Sequence, residues 1–525
     1  MNLERAAYTG DIYPVNPGHD ELRGRRCYKS LADIPQKPDM VIFAVGDHRI
    51  EASLEEAIAL GIPAAVIMSA LHMDDDTEPF LKARVQQKIR QSGMLVCGAN
   101  GMGFYNVRDH TWACGFDSRP HSAPGNVSLI SHSGSGMCGI VDCEERLRFN
   151  FAVSTGNELS VTMDQYLDFV LELPETRVVG LFVETARNPA AFRAALKKAA
   201  RKKIPIVALK VGRTKKAAEL AVSHSGAMAG DDDTYTALFE RYGVHRVSDM
   251  DELATALILF AELNPLGPGG LVTLHDSGGE RQLMVDLADE AGTHLTELGE
   301  NTVTKLSAVL DPELPAINPL DGWSRGGEHG EQRMTECISI MLQDPAAAMG
   351  ALILDRAPGG AIYESYIQRM EKAHEASGKP IVLVGSRQGA GAAPLAVEST
   401  HRGFPVLDGV MPFLRSVRGL MNYRDFVALP DSPAACAPAN AVATWSERLE
   451  NGAVLDEASS LALLNDFGIA VSQGEVVSGR DALLAASTRL AYPLVLKTAM
   501  PGVQHKTEQR GVHPDILDEQ QLAES

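Results

Sequence analysis

The sequence predicts an α/β fold: part of a doubly wound domain, two copies of one strand–helix unit and a last α/β segment. Three observations carry this. Apolar runs of strand length alternate with helix-spaced segments, the signature of parallel sheets with helical crossovers. One strand–Ser-Gly–helix unit occurs twice. An Ala- and Pro-rich stretch, "ALPDSPAACAPANAVA" (428–443), separates these parts from a last α/β segment.

In chain order, "DMVIFAV" (39–45), "PAAVIMS" (63–69) and "GMLVCGANG" (93–101) read as buried strands. Between them "RIEASLEEAIALG" and "EPFLKARVQQKIRQSG" have the 3.6-residue spacing of amphipathic helices. Residues 1–120 are therefore expected to form the first domain. The repeat follows. "SGSGMCGIVD" (133–142) aligns without a gap on "SGGERQLMVD" (277–286), each preceded by a strand, "NVSLISH" and "GLVTLHD". The next strand in each copy ends in an acid, "VVGLFVE" (178–184) and "AMGALILD" (348–355). A third pair is "KIPIVALKVG" (203–212) and "KPIVLVGSRQG" (379–389). The copies are placed at 121–262 and 263–427, the linker at 428–443 and the final domain at 444–525. That domain opens with a helical "DEASSLALLNDFG" and reaches a strand at "YPLVLKTA" (492–499).

Composition excludes several classes. A net charge of −20 disfavours non-specific nucleic-acid binding, which relies on cationic side chains neutralising phosphates. No apolar run approaches the about 18–20 residues of a membrane span. The start, "MNLERAAYTGDIY", has no apolar stretch with a basic flank, so a cytoplasmic location is expected. The seven cysteines show no CxxC pair and read as free thiols of a reducing compartment. Cys138 reads as small-residue packing near a glycine-rich turn.

A strand running into Ser133-Gly134 and a helix aims backbone N–H groups at whatever lies above the helix, which with the helix dipole makes an anion site. A plain β-to-α turn uses the same residues, so both readings stand from the turn alone. His224 lies in "AVSHSGAMAGDDD" (221–233), an unusually uncrowded setting for an imidazole. It follows the third strand of its unit, so it can reach the carboxyl edge of the sheet, where ligands bind in open α/β folds. Glu184 and Ser133 are expected on that edge. A carboxylate on one ring nitrogen leaves the other to attack, and small neighbours leave room for a phosphoryl group. A solvated surface histidine fits the spacing as well. His132 and His275 read as structural.

The chain resembles the NDP-forming acyl-CoA synthetases, the superfamily of ADP-forming acetate–CoA ligase and succinyl-CoA synthetase. "YPVNP" (13–17), "GANGMG" (98–103), "ISHSG" (130–134), "VSTGNE" (153–158), "SHSGAMAG" (223–230), "NPLD" (318–321) and "VLK…HK" (495–506) occur in the family's order. The resemblance implies an incomplete Rossmann-like CoA-binding domain, two flavodoxin-like succinyl-CoA-ligase domains and the start of an ATP-grasp domain, with His224 phosphorylated, Glu184 orienting it, and Ser133 and Gly134 capping a phosphate-binding helix. Ser277, Gly278 and Gly279 would form the opposing cap. CoA would lie against Asn16, Pro17, Val45, Gly46, Ser69 and Asn100, and ATP against Lys497, His505 and Lys506. The implied substrates are a small carboxylic acid, CoA and ATP/ADP, with Mg2+ held by carboxylates beyond Ser525 and no metal ligand within the chain. A homo-oligomer or a complementing ATP-grasp chain is the implied partner. The family's "GPNC" stands here as "GANG", and the lysine that often follows "VNP" is Gly18. The first strand of a CoA-binding domain and the magnesium carboxylates are not found, so the chain is expected to be part of a longer synthetase, unable to make acyl-CoA alone. The competing readings are a CoA- or acyl-CoA-binding regulatory remnant and a relative of the protein acyltransferases.

Overall fold

The computed structural model describes residues 2–121, 123–217, 231–322, 327–355, 357, 361–387, 389, 393–430, 437–450, 452, 455–499 and 511–525. Strands β1 (Met40–Phe43), β2 (Ala64–Ile67) and β3 (Leu95–Gly98) pair in parallel in that order, with α1 (Asp47–Ala59) and α2 (Leu81–Ser92) as crossovers. Their cores are the apolar positions of the sequence pattern: Ile50, Leu54 and Ala57 on α1 and Leu81, Val85 and Ile89 on α2 are buried.

The hairpin β4 (Gly103–Asn106) and β5 (Thr111–Cys114) belongs to the next sheet, although it lies within 1–120 in sequence. That sheet contains β6 (Val127–Ser131), β7 (Phe149–Ser154), β8 (Val178–Val183), β9 (Ile206–Lys210) and β10 (His245–Val247). Among the described residues its order is β10-β9-β8-β6-β7-β4-β5, parallel except where β4 meets β7 and β5. The associated helices are α3 (Gly134–Val141), α4 (Met163–Val170), α5 (Pro189–Lys202), α6 (Asp232–Arg241) and α7 (Met250–Leu263).

The second copy contains β11 (Gly270–His275), β12 (Leu320–Asp321), β13 (Ala347–Ile353), β14 (Ile381–Gly385) and β15 (Val406–Asp408), in the order β12-β11-β13-β14-β15. With α8 (Gly278–Ala291), α9 (Glu364–Ser377) and α10 (Val410–Ala428), it repeats the first copy. Counted within each copy, both sheets run 2-1-3-4-5, the flavodoxin-like order whose switch point lies between strands 1 and 3. The six residues of β11 are all buried, as expected for a parallel strand covered on both faces.

The two copies share one core. Met137 and Val141 of α3, the apolar residues of α7 from Leu253 to Leu263, Met284 and Ala288 of α8, and Phe413, Leu414, Val417 and Leu420 of α10 belong to a single apolar cluster. These residues lie within one compact unit, Met1–Leu429. A second unit, Pro430–Ser525, contains α11 (Glu457–Asp466) and the antiparallel pair β16 (Leu494–Lys497) and β17 (Val512–Ile516). Among the described residues no helix is long and apolar enough to cross a membrane. Cys27, Cys97, Cys114, Cys138, Cys143 and Cys337 are free thiols.

Candidate functional site

The switch point between β6 and β8 places the first candidate group. Ser131 pairs with Phe182 at the carboxyl ends of these strands, so the residues that follow, His132 to Gly134 and Glu184, emerge on one edge. Ser133 is the N-cap of α3, its Oγ accepting the Gly136 N–H at 3.1 Å. The hydroxyl hydrogen is thereby left to donate outward. Ser131 Oγ closes the turn from behind, donating to Ser133 O at 2.7 Å. Gly134 is required for packing: a Cβ there would lie 2.7 Å from Met102 Cγ. The first-turn N–H groups and the hydroxyl of Ser133 thus face the sheet edge as donors.

Glu184 is half-buried beside this turn, its backbone N–H donating to His132 Nδ1 at 3.2 Å. Lys210, the last residue of β9, is 2% exposed. It donates to Val211 O, and its Nζ lies 4.7 Å from the centroid of the Tyr235 ring. Burial lowers its pKa, while the nearby carboxylates of Asp232 and Glu184 oppose that shift. Tyr235 is itself fixed, its hydroxyl accepting the Ala186 N–H at 2.8 Å. A buried lysine at the end of an apolar strand is a signal the sequence contained, in "PIVALK", and pattern reading passed over it. Glu158 and Arg187 were missed as well. The Glu158 side chain is fully buried, with Oε1 3.1 Å from His132 Nε2 and Oε2 3.3 Å from Arg187 Nε.

The CoA-type positions divide. Val45 and Gly46 follow β1, Ser69 follows β2, and Asn100 follows β3, so these four share the carboxyl edge of the first parallel sheet. Asn100 sits at φ +53°, its N–H donating to Ser69 O at 2.9 Å. Asn16 and Pro17 lie on an exposed loop, where Asn16 Oδ1 accepts from Gly18 N–H; among the described residues no hydrogen bond ties them to that edge. The edge is joined to the flavodoxin-like sheet by interlocking loops. Asn157 N–H donates to Ala99 O at 2.7 Å and Leu159 N–H to Gly98 O at 2.9 Å. Gly156, at φ +55°, lets the loops meet: a Cβ there would lie 2.1 Å from Ala99 O.

The second copy differs in charge. Ser277 precedes α8 without a side-chain cap, and Asp321 Oδ2 lies where it would be 3.1 Å from a Cβ on Gly278. Glu280 on the first turn accepts from Ser386 Oγ at 2.9 Å. Asp276 is pushed up to about 6 by burial, then by Glu280 and Asp355. Ser277, Gly278 and Gly279 are therefore faced by carboxylates, a sign that opposes phosphate. His275 is fully buried, Nε2 3.1 Å from Thr273 Oγ1, and burial lowers its pKa to about 3, so it is a neutral core residue.

In the second unit, Lys497 Nζ donates to Glu457 Oε1 at 2.5 Å on an exposed face. His224, His505 and Lys506 lie outside the described residues. Among the described residues no group of three or more His, Cys, Asp or Glu converges as a metal site.

Comparison with known proteins accords with this arrangement. Residues 2–106 match the model of a CoA binding domain, 124–260 that of a succinyl-CoA ligase like flavodoxin domain, and 447–525 that of an ATP-grasp domain. The chain is 27% identical over 524 residues to a trans-feruloyl-CoA synthase of an unknown prokaryotic organism, covering 97% of this chain and 72% of that protein. It is 25% identical over 523 residues to the ADP-forming acetate–CoA ligase I of Archaeoglobus fulgidus, covering 97% and 73%. The fold matches an acetyl-coenzyme A synthetase 1 of Candidatus Korarchaeum cryptofilum, solved with phosphate and ADP, with a TM-score of 0.69 at 21% identity over 81% of this chain and 92% of that one. With these three domain types in this order, and relatives aligned along nearly its whole length, the chain is similar throughout to the NDP-forming acyl-CoA synthetases.

Proposed function

We propose that the chain carries the acyl-transfer half of an ADP-forming acid–CoA ligase, with the overall reaction acid + CoA + ATP ⇌ acyl-CoA + ADP + phosphate. One observation carries the reading. The helix-capped turn at Ser133-Gly134, with Glu184 beside it, is tied by the 98–101 and 154–159 loops to the sheet edge bearing Val45, Gly46, Ser69 and Asn100. An anion site and a CoA-type edge are thus built into one frame.

In the direction from acyl-CoA, a phosphate oxygen attacks the thioester carbonyl and the CoA thiolate leaves, giving an acyl phosphate. The imidazole of His224 then attacks phosphorus and the carboxylate leaves. Ser133 O–H and the first-turn N–H groups of α3 supply donors to the phosphoryl oxygens, and Glu184 orients the ring. The Lys210 ammonium adds positive charge beneath this edge, whereas Asp276, Glu280 and Asp321 oppose phosphate at the second turn. Phosphate is therefore assigned to the first turn, with Ser277, Gly278 and Gly279 as the opposing cap. Asn16 and Pro17 complete the CoA contacts from their exposed loop. Lys497, His505 and Lys506 belong to the ATP side. The described residues do not fit a Mg2+ site, and no step here is assigned to the ion. The carboxylic acid is small, the protein acts in the cytoplasm, and its assembly is a homo-oligomer or a complex with an ATP-grasp chain.

The acyl half can be tested without ATP. The purified chain, given [32P]phosphate and acetyl-CoA or feruloyl-CoA, is expected to take up acid-labile, base-stable label that His224→Asn abolishes. Label persisting in His224→Asn overturns the assignment of the nucleophile. A wild-type chain that binds acyl-CoA yet takes no label from either thioester overturns the ligase reading in favour of acyl-CoA binding without catalysis.

A further inference from the structure

His132 sits in the turn between β6 and α3, and its side chain is 2% exposed. A polar ring so placed needs partners on both nitrogens. Its Nδ1 lies 3.2 Å from the backbone N of Glu184 and 3.3 Å from Phe182 O. That carbonyl already accepts the His132 backbone N–H at 3.1 Å. The Glu184 N–H can only donate, so Nδ1 accepts from it and the ring proton resides on Nε2. Nε2 lies at ion-pair distance from Glu158 Oε1, 3.1 Å, without hydrogen-bond geometry to it.

Glu158 is unusual in two ways. Its carboxylate is entirely buried, and its backbone lies at φ +51°, a left-handed region unfavourable for a residue with a Cβ. Such a conformation persists where its surroundings determine it several times over. Oε1 accepts the N–H of Met163, the first residue of α4, at 2.8 Å, and Oε2 faces Arg187 Nε at 3.3 Å. Arg187 lies three residues beyond Glu184. Glu184, His132, Glu158 and Arg187 are therefore neighbours in one group, in which the Glu184 N–H to His132 Nδ1 is the hydrogen bond and the Glu158 carboxylate stands at ion-pair distance from both His132 and Arg187. β8 ends at Val183, so Glu184 has left the ladder whose regular pairing would have fixed its main chain. The imidazole holds it in place of the ladder.

We infer that His132 is a positioning residue for Glu184: buried beside Glu158 and accepting the Glu184 N–H at Nδ1, it fixes the main chain from which the Glu184 carboxylate projects. The consequence for catalysis rests on the proposed function, in which that carboxylate orients His224. The placement of Glu184 does not.

The test uses the full chain with His132→Leu and His132→Gln, the second retaining a donor and an acceptor in one planar group. Hydrogen exchange is read at the Glu184 amide. His132→Leu is expected to speed exchange there by about tenfold or more while the amides of Leu129 and Gly180 are unchanged, and His132→Gln to restore part of the protection. Equal protection of Glu184 in wild type and His132→Leu overturns the inference, as does a loss spread evenly over β6 and β8, which would mark general destabilisation. The second readout is the rate of label uptake from acyl-CoA and phosphate. His132→Leu is expected to lower its maximum about tenfold with little change in half-saturating acyl-CoA, and Glu184→Gln added to it to cost much less than in the wild-type background. Additive losses overturn the positioning role. Altered exchange in a chain whose wild type takes no label sustains the inference and counts against the proposed function alone.

Discussion

Asp276 loses water at the carboxyl edge of β11 and gains Glu280 and Asp355 as neighbours, so it holds its proton up to about 6 in the folded chain. The sign follows from proton binding. Between the ordinary aspartate value and about 6 the folded state binds more protons than the unfolded one, so stability falls as pH rises through that window and stays lower above it. Asp276→Asn removes the charge that burial penalises. Because the group is only partly buried, solvent screening reduces the gain to about 1 kcal/mol at pH 8. Urea denaturation at pH 8 is expected to show that gain, which should shrink as the pH falls towards 4. An equal gain at both pH values would assign it to packing rather than charge. The contrast with Lys210 is informative, since a buried lysine at the carboxyl end of β9 in the first copy and a cluster of carboxylates around the turn of the second give two similar sequence repeats opposite electrostatic characters.

The loops 98–101 and 154–159 show what an element-level reading captures and what escapes it. Gly156 holds φ +55° with Ala99 O against its Cα, so Gly156→Ala combines backbone strain with a steric clash and should cost about 2–3 kcal/mol in urea denaturation. Because the displaced partner loop carries Asn100, acyl-CoA binding measured by calorimetry should weaken by about tenfold or more, a loss equivalent to about 1.4 kcal/mol. Retention of wild-type affinity would detach Asn100 from the CoA edge. The strands and the turn at Ser133 were legible because apolar runs, turn residues and the gap-free ten-residue alignment with 277–286 are local signals. The second strand of each copy was not read: β7, "FNFAVS", carries a buried Asn150, and β12 is two residues long. Nor could periodicity show that β4 and β5, inside 1–120, join the neighbouring sheet, because that is a choice of partner rather than of conformation. Glu158 was quoted within "VSTGNE" without a role, since its partners His132 and Arg187 lie 26 and 29 residues away and only the fold brings them together.

At the scale of the molecule, α7 explains why the repeats occur as a pair. From Leu253 to Ala261 every residue is buried, so this helix has no solvent face and needs apolar partners on both sides. Its own sheet supplies one, and α10 of the second copy supplies the other, with Phe413, Val417 and Leu420 in the same cluster as Leu257 and Phe260. The junction also contains a buried ionic contact. Arg146, 7% exposed, binds Glu144 through Nε at 2.7 Å and Nη2 at 2.6 Å within its own copy. Across the junction its Nη1 meets Val406 O at 2.7 Å and Asp408 Oδ2 at 3.1 Å. Such a network is costly to break from one side, because the carboxylates remain buried without their cation. Arg146→Met should therefore cost about 3–5 kcal/mol, far more than the loss of an exposed ion pair. Neutralising the stranded acids as well, in Arg146→Met/Glu144→Gln/Asp408→Asn, is expected to recover much of that stability, since the penalty lies in the unpaired charges rather than in the missing bond. Urea denaturation of both variants of the full chain is the measurement. A loss below about 1 kcal/mol in the single variant would place Arg146 among the solvent-screened pairs and leave the apolar helix contact to hold the copies together unaided.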